Sequence, residues 1–278
     1  MIMFKVSVII PCFNQAQFLD ECIDSVLNQT VQDFEIIVVD DGSTSAETIA
    51  ILDKLDKPKT KIIRKKNGGL VSARNAGIEI ATGKYILPLD CDDKIAPTLL
   101  EKCSKYLDAH DDCGICGGLT ELFGSKNGVW DLPKYSWPQI LLGNRLVATN
   151  MFRRDDWVAV GGYNPNMTHG LEDWDFWLSI LEQGRTVFQF DEVLFYYRKH
   201  GESMISDLQK RATNRQRMIN QIIQNHRDTY DKYPIVVERL TDNLSMRTNV
   251  KDFVVRMLCL FIPVANTRHK IKERFRYE

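Results

Sequence analysis

The sequence has no excess of charge of either sign and no apolar run long enough to cross a membrane. Its 36 Lys and Arg residues are balanced by 37 Asp and Glu residues, and a net charge of −1 argues against a broad basic surface for nucleic acid. The late apolar stretch 253–265 is interrupted by Arg256 and Pro263 and is shorter than the ~20 residues of a membrane helix. With 44% hydrophobic residues, the chain is predicted to be globular, with one large core or two modest ones.

Few cysteines are present, and their distribution favours a reducing environment. Seven is an odd number in a chain of 278 residues, which is too long to need disulfides for its stability. Cys113 and Cys116 form one CxxC motif, which is compatible with a redox pair, half of a zinc site or two buried thiols. Without a second pair or a nearby histidine, we interpret them as buried thiols. The short N-terminal apolar run stops at Pro11 and lacks a cleavage site, so we expect a buried strand and a cytoplasmic protein.

Apolar runs and amphipathic segments alternate in the first half of the chain. Runs rich in Val and Ile predict strands at 6–10, 34–39, 61–64 and 85–89. Helical spacing predicts helices at 18–27, 46–55, 71–81 and 97–108. Further on, we predict irregular structure at 122–154, a helix at 174–181, a strand at 186–190, and helices at 208–230 and 235–246. This order is typical of an α/β fold with a mainly parallel sheet.

Acidic and amide residues follow three of the predicted strands. Asn14 follows the first, Asp40 and Asp41 follow the second, and Asp90 and Asp92 follow the fourth. Carboxyl ends of parallel strands meet at one edge of the sheet, where ligands bind. Carboxylates gathered there repel one another unless they share a cation, and their oxygens suit Mg²⁺ or Mn²⁺. A helix cap and a haloacid-dehalogenase-like phosphatase are the alternative interpretations of the D-x-D pair.

The order of six segments resembles that of the family 2 glycosyltransferases. They read, from the N-terminus, VSVIIPCFN, VVDDGS, GGLVSARNAGI, YILPLDCDD, GLEDWDFWL and YYRKH. The first four cover about a hundred residues in continuous order. The resemblance implies the GT-A fold, with a mainly parallel, Rossmann-like sheet flanked by helices and a C-terminal helical extension.

The resemblance also implies a nucleotide site. It places Phe13 against the base, with Asp41 and Asp40 at the base's hydrogen-bonding edge. It places Arg74 and Asn75 near the nucleotide. From the residues alone, Phe13 could equally belong to the core, and either aspartate could cap the helix that begins near residue 46. Arg74 and Asn75 could equally be a surface arginine and part of a turn.

A metal site is the next implication of the resemblance. It assigns Asp92 and His200 as ligands of Mn²⁺ or Mg²⁺, and Asp90 to the ribose or to the outer shell of the metal. The ion would bridge the two phosphates of a sugar nucleotide and offset the charge of the departing diphosphate. A lone histidine near a surface loop is otherwise unremarkable.

The GLEDWDFWL segment is where the family carries its catalytic base. Glu172, Asp173 and Asp175 compete for this role on position alone, and the resemblance selects Asp173. An inverting transfer needs one carboxylate to take the proton of the attacking hydroxyl. Glu172 and Trp174 are assigned to the acceptor site, although Trp174 could equally be a core residue.

The expected protein is an inverting, metal-dependent glycosyltransferase of the bacterial cell-surface polysaccharide type. The donor is a nucleotide sugar, with UDP expected, and the acceptor is a glycan or a lipid-linked glycan. Expected divisions are a catalytic domain at 1–205, with a nucleotide half (1–100) and an acceptor half (101–205), a helical extension at 206–250, and a basic amphipathic tail at 251–278. The tail is expected to contact the inner face of the cell membrane, or else to pack on the protein or form a homodimer. A sugar-nucleotide nucleotidyltransferase and an inactive sugar-binding scaffold are the alternatives.

Overall fold

A mainly parallel sheet forms the centre of the computed structural model, which describes residues 4–200 and 212–241. The strands are β1 Val6–Cys12, β2 Phe34–Asp40, β3 Thr60–Arg64, β4 Tyr85–Pro88, β5 Lys94–Ile95, β6 Cys113–Gly124, β7 Gly128–Val129, β8 Met151–Arg153 and β9 Thr186–Lys199. The α-helices are α1 Leu19–Leu27, α2 Ala46–Lys54, α3 Leu70–Glu79, α4 Leu99–Ala109, α5 Arg154–Val160, α6 Glu172–Glu182, α7 Ala212–Asn225, α8 Arg227–Tyr230 and α9 Pro234–Thr241.

The strand order is β3-β2-β1-β4-β8-β6-β9-β5, with β7 paired to β6. β1 is parallel to both β2 and β4, and β2 is parallel to β3, so the predicted α/β fold with a mainly parallel sheet is confirmed. β8 is antiparallel to β4 and β6, and lies in the segment for which irregular structure was predicted. That expectation was wrong for Met151–Arg153, because three buried residues are too few to show a strand period in the sequence.

Every residue of β1 is buried because helices cover both faces of the sheet. Alternate side chains of the strand belong to different cores. Val8 and Ile10 belong to an apolar cluster that includes residues of α1 and α4, whereas Ile9 belongs to a second cluster with residues of α3 and α6. In α3, a Cβ atom on Gly77 would lie 2.5 Å from Ile9, so glycine allows this helix to approach the sheet closely.

The CxxC cysteines are buried in the sheet, in agreement with their interpretation as thiols. Cys113 and Cys116 lie on β6 and are both free. Burial and the neighbouring Cys116 raise the pKa of Cys113 to about 11, which keeps its thiol protonated at neutral pH.

The strand predicted at 186–190 continues to Lys199, because β9 pairs along its whole length with β6. The helix predicted at 208–230 is interrupted at His226, between α7 and α8. The tail 251–278 lies outside the described residues. Within 4–200 and 212–241, no helix is both long and apolar enough to span a membrane.

A buried histidine joins the C-terminal helices to α6. His226 Nδ1 lies 2.9 Å from Glu182 Oε2, and its Nε2 lies 3.3 Å from Asp175 Oδ1. Asn225 donates to the same Asp175 oxygen at 2.6 Å. Burial opposes the imidazolium charge, but the two carboxylates outweigh it and raise the pKa of His226 from 6.5 to about 9.

This cluster predicts a pH-dependent contribution to stability. The folded-state pKa of His226 exceeds the unfolded value, so the contribution is fully present below pH 6.5 and is lost as the pH rises through about 9. Its full size is roughly 3 kcal/mol. We expect His226→Gln to reduce the difference between the free energies of unfolding at pH 6 and pH 9.5, measured by urea denaturation. His110→Gln, at an exposed histidine, serves as the control. Equal pH slopes for both variants would contradict the prediction.

Candidate active site

A cavity of about 690 Å³ lies at the carboxyl ends of β1, β2 and β4. Eight of the residues selected from the sequence line it. They are Phe13, Asp41, Arg74, Asp90, Asp92, Glu172, Asp173 and His200. Segments from both halves of the chain therefore line one cavity. It lies where ligands bind to parallel sheets, at the carboxyl ends of the strands.

The loops after β1 and β2 are locked together by one asparagine. Asn14 adopts a left-handed backbone conformation, with a φ of 53°, and its side-chain oxygen accepts hydrogen bonds from the amides of Thr44 and Ser45 at 2.8 Å. This arrangement leaves the neighbouring Phe13 side chain 47% exposed at the cavity. An exposed ring held by a fixed loop is suited to stacking on a planar ligand.

Asp41 holds a glycine turn at the same edge. Its Oδ1 accepts from Lys65 Nζ at 2.6 Å, and its Oδ2 accepts from the amide of Gly69 at 2.7 Å. The Gly68 amide lies within 3.2 Å of both oxygens. Gly69 has a φ of 84°, which favours glycine. These donors fix the orientation of the Asp41 carboxylate at the edge of the cavity.

Three residues that were assigned to the site do not line the cavity. Asp40 instead accepts a hydrogen bond from the amide of Ser43 at 2.9 Å. The side chain of Asn75 bonds the backbone of Tyr163 through both its oxygen and its nitrogen. Trp174 is 2% exposed, and its indole nitrogen donates to the carbonyl of Ile140 at 2.8 Å. The polar groups of all three side chains have partners inside the fold, and the assignments of Asp40 and Asn75 to the nucleotide and of Trp174 to the acceptor stay predictions.

A buried arginine connects the two halves of the cavity. Arg74 is 1% exposed and donates to Glu172 Oε1 at 2.6 Å and to Asp90 Oδ1 at 2.9 Å. Burial opposes its charge, but Asp90 and Glu172 outweigh this effect and raise the pKa of Arg74. Both acidic groups are thereby oriented by a permanent positive charge.

The Asp92 carboxylate and the His200 imidazole are in direct contact. His200 Nε2 lies 2.7 Å from Asp92 Oδ2. Arg198, two residues before the histidine, donates from its backbone amide to Asp93 Oδ1 and from Nε to the carbonyl of Asp92, both at 2.7 Å. β9 is thus fastened to the acidic loop, and this brings residues 108 positions apart together.

Negative charge accumulates at this loop. Burial and the neighbouring Asp90 raise the pKa of Asp92, against the effect of His200. Burial, Asp92 and Asp90 raise the pKa of Asp93 well above its usual value. A cation would relieve this repulsion. In the part of the chain that the structure describes, no three Asp, Glu, His or Cys side chains form a complete cage for a metal ion.

Asp92 and His200 do fit a metal ion whose coordination shell is completed by a bound ligand. Mg²⁺ in proteins often binds to one or two carboxylates and takes its other ligands from water and from substrate phosphates. Asp92 and His200 could supply the protein's share of such a coordination shell. Asp90 is held by Arg74 and is suited to a supporting position.

Asp173 lies in the first turn of α6, after a residue with an unusual backbone. Leu171 has a φ of 62°, in the left-handed region that costs an L-residue energy and is often found at functional sites. Asp173 Oδ1 accepts from the amide of Trp174 at 2.8 Å, and its Oδ2 accepts from Asn144 Nδ2 at 2.8 Å. Burial and Glu172 raise the pKa of Asp173 to about 7, against the effects of Arg74 and the two donors. This value suits a general base at neutral pH.

The neighbouring carboxylates have other partners. Glu172 is held by Arg74, and Asp175, which is 1% exposed, faces His226 and Asn225. Of the three acidic residues that compete on sequence position, Asp173 alone lines the cavity without an ion-pair partner among the described residues.

Several lining residues were not selected from the sequence. Asn144 contacts Asp173, and Arg215 of α7 reaches the cavity. Trp130 stacks on Tyr197 with 5.5 Å between ring centroids, and both line the cavity. The Trp- and Pro-rich composition of the 122–154 segment was the one available signal, and it did not single out any residue.

Comparison with known proteins agrees with this geometry. The family model described as glycosyl transferase family 2 matches residues 7–165. A chondroitin synthase and a hyaluronan synthase, both of Pasteurella multocida, are each 32% identical to the chain over 82% of its length. The chain spans 24% of each of those proteins. An uncharacterized glycosyltransferase of Haemophilus influenzae is 31% identical, with 72% of this chain and 67% of that protein covered.

Solved structures show the same fold. S. aureus TarS in complex with UDP-GlcNAc superposes with a TM-score of 0.63 and 19% identity, covering 91% of this chain and 78% of that chain. TarS in complex with UDP gives a TM-score of 0.60 and 20% identity, with 92% and 81% covered.

Proposed function

The chain belongs to glycosyltransferase family 2, and on that premise we propose that it transfers a sugar from a UDP-sugar to a hydroxyl group of a glycan, with inversion at the anomeric carbon. The proposal rests on the residues that line one cavity. A base with a pKa of about 7, Asp173, lines the same cavity as the Asp92–His200 pair.

Asp173 is proposed to take the proton of the acceptor hydroxyl as that oxygen attacks the anomeric carbon of the donor. The bond between this carbon and the diphosphate oxygen breaks, and the leaving group departs as UDP. Its amide and asparagine partners orient the carboxylate before the substrate binds. Attack from the side opposite to the leaving group inverts the configuration.

Asp92 and His200 are proposed to hold a divalent metal ion. Such an ion would offset the negative charge that develops on the departing diphosphate. Arg74 keeps Asp90 in a fixed position beside this pair. Phe13 is proposed to stack on the base, and Asp41 to accept its imide hydrogen.

The acceptor is proposed to be a glycan of a bacterial cell-surface polysaccharide. Two relatives are named as synthases of polysaccharides, chondroitin and hyaluronan. The stacked rings of Trp130 and Tyr197 give the cavity an aromatic surface, which suits the apolar face of a sugar ring. Trp130 also lines a smaller cavity with Gln189 and Asp191, which offer hydrogen-bonding groups to hydroxyls.

Replacement of the base tests the central step. We expect Asp173→Asn to lower kcat by roughly 10² to 10⁴-fold because the amide cannot accept the proton. UDP affinity, measured by calorimetry, should remain unchanged, and Asp155→Asn at an exposed position should have no effect on either quantity. In the parent protein, kcat/KM should rise with pH through about 7, as the base becomes ionised. Loss of UDP binding with unchanged turnover would assign Asp173 to the nucleotide instead.

Metal dependence tests the role of the acidic loop. We expect Mn²⁺ to strengthen UDP binding in the parent protein, and Asp92→Ala to abolish both this effect and turnover because the carboxylate ligand is lost. Calorimetric titrations with UDP in Mn²⁺ and in EDTA measure the difference. Asp111→Ala, at an exposed aspartate, is the control. Full activity of the parent protein in excess EDTA would contradict the proposal.

The nucleotide site is tested by ligand choice and by one substitution. UDP should bind more tightly than GDP because a purine needs more space and offers a different edge to Asp41. Phe13→Ala should weaken UDP binding roughly 5- to 100-fold, the range of aromatic stacking on a base. Val158→Ala, also at an exposed apolar residue, should leave it unchanged. Equal or tighter binding of GDP in a calorimetric titration would refute the uracil assignment.

A further inference from the structure

A short turn places an amide beside the proposed base. The 3-10 turn Gln139–Leu142 precedes Asn144, whose Nδ2 donates to Asp173 Oδ2 at 2.8 Å. The opposite end of the amide is also used, because Asn144 Oδ1 accepts from the backbone amide of Leu146 at 3.1 Å. A backbone N–H can only donate, so this second bond determines which end of the side chain faces the carboxylate.

The turn itself is fastened from two sides. The Trp174 indole donates to the carbonyl of Ile140 at 2.8 Å, and the Tyr230 hydroxyl donates to the carbonyl of Leu141 at 3.0 Å. Ile140 and Leu141 are both fully buried. The residue adjacent to Asp173 in the sequence therefore anchors the turn that leads to Asn144, and the distance between amide and carboxylate is set by packed groups on both sides.

We propose that Asn144 is a positioning residue that holds the carboxylate of Asp173 in its ionised form. This assignment rests on the proposed function only in naming Asp173 as the base. The hydrogen bond favours the ionised form because a carboxylate is a stronger acceptor than a carboxylic acid.

Charged and titratable groups around Asp173 set the background for this effect. Glu172, adjacent in α6, raises the pKa of Asp173, and Arg74 of α3 lowers it. The buried Tyr163 hydroxyl interacts with the same carboxylate, and burial raises its pKa, so it stays neutral over the working range. Asn144, from the 130–150 segment, donates a hydrogen bond to Asp173. Its side chain bears no charge, so its removal leaves the charged groups around Asp173 unchanged.

The test is a carbon-detected NMR titration of the Asp173 carboxyl group in the free protein. We expect Asn144→Ala to raise the pKa of Asp173 by about one unit, the size of one lost hydrogen bond to a charged acceptor. The matched control is Asn166→Ala, the same substitution at an exposed asparagine, which should leave that pKa unchanged. The folded structure raises the pKa of His226 to about 9 through Glu182 and Asp175 of α6, so titration of this ring near pH 9 reports an intact fold in each variant. An unchanged Asp173 pKa in folded Asn144→Ala would overturn the proposal.

A second variant covers the case in which the alanine variant does not fold. Asn144→Asp keeps the shape of the side chain and the oxygen that accepts from Leu146, but it replaces the donor with a carboxylate. The upper of the two apparent pKa values of the resulting pair should lie above the value of Asp173 in the parent protein. If that value is not raised, the two side chains are not in contact and the proposal is wrong.

Kinetics distinguish a positioning role from a general structural one. At pH 7, kcat/KM of Asn144→Ala should fall about fivefold, as expected when a base of pKa near 7 shifts by one unit. The loss should disappear above about pH 9, where the carboxylate is ionised in both proteins. A loss that persists at high pH would refute the proposal. Because the NMR titration needs no substrate, a chain without transferase activity would still show the pKa shift, so this proposal and the proposed function fail independently.

Discussion

The site depends on one buried cation. Arg74 is 1% exposed, and it remains charged because Glu172 and Asp90 each accept one of its hydrogen bonds. Removing either acid would leave a buried charge partly uncompensated, a defect that costs several kcal/mol. Glu172 begins α6, and Asp90 follows β4. The two ion pairs therefore fix the positions of the two cavity walls relative to each other. The Nε atom of Arg74 has no hydrogen-bond partner among the described residues. The positive charge of the guanidinium is compensated by Glu172 and Asp90.

A second arginine holds the opposite wall of the cavity in place. Arg198 bonds the backbone and the carboxylate of the acidic loop and lies over the rings of Phe18 and Phe123, each at 4.3 Å. Its positive charge offsets part of the repulsion between the half-buried Asp92 and the buried Asp93. The two arginines thus allow carboxylates to be crowded around one cavity while Asp173, which has no such partner among the described residues, keeps a pKa near neutrality.

Trp174 and Asn144 mark the limit of prediction from the sequence. Trp174 directly follows Asp173, the proposed base, which suggested an acceptor contact, but its ring is buried and its indole donates to the carbonyl of a turn. Asn144 lies in a segment with no period and no recognisable motif, so no local pattern could connect it with a residue 29 positions later. The same holds for Asn75, whose place beside Arg74 in the sequence suggested a shared site. Successive residues of a helix point in different directions, and Asn75 bonds Tyr163 instead.

The sequence by itself determined the parallel sheet, because apolar runs of strand length alternate with amphipathic helices over the first hundred residues. It also placed Asp41, Asp90 and Asp92 near the ligand edge, since they come after strands whose direction is set by that alternation. Only the tertiary structure decided which polar groups face the cavity and which are used internally. That choice depends on contacts between distant segments, such as Asn75 with Tyr163 and Asp173 with Asn144. A buried polar group needs a hydrogen-bond partner, and that partner is often far away in the sequence. The local sequence therefore does not indicate which residue it is.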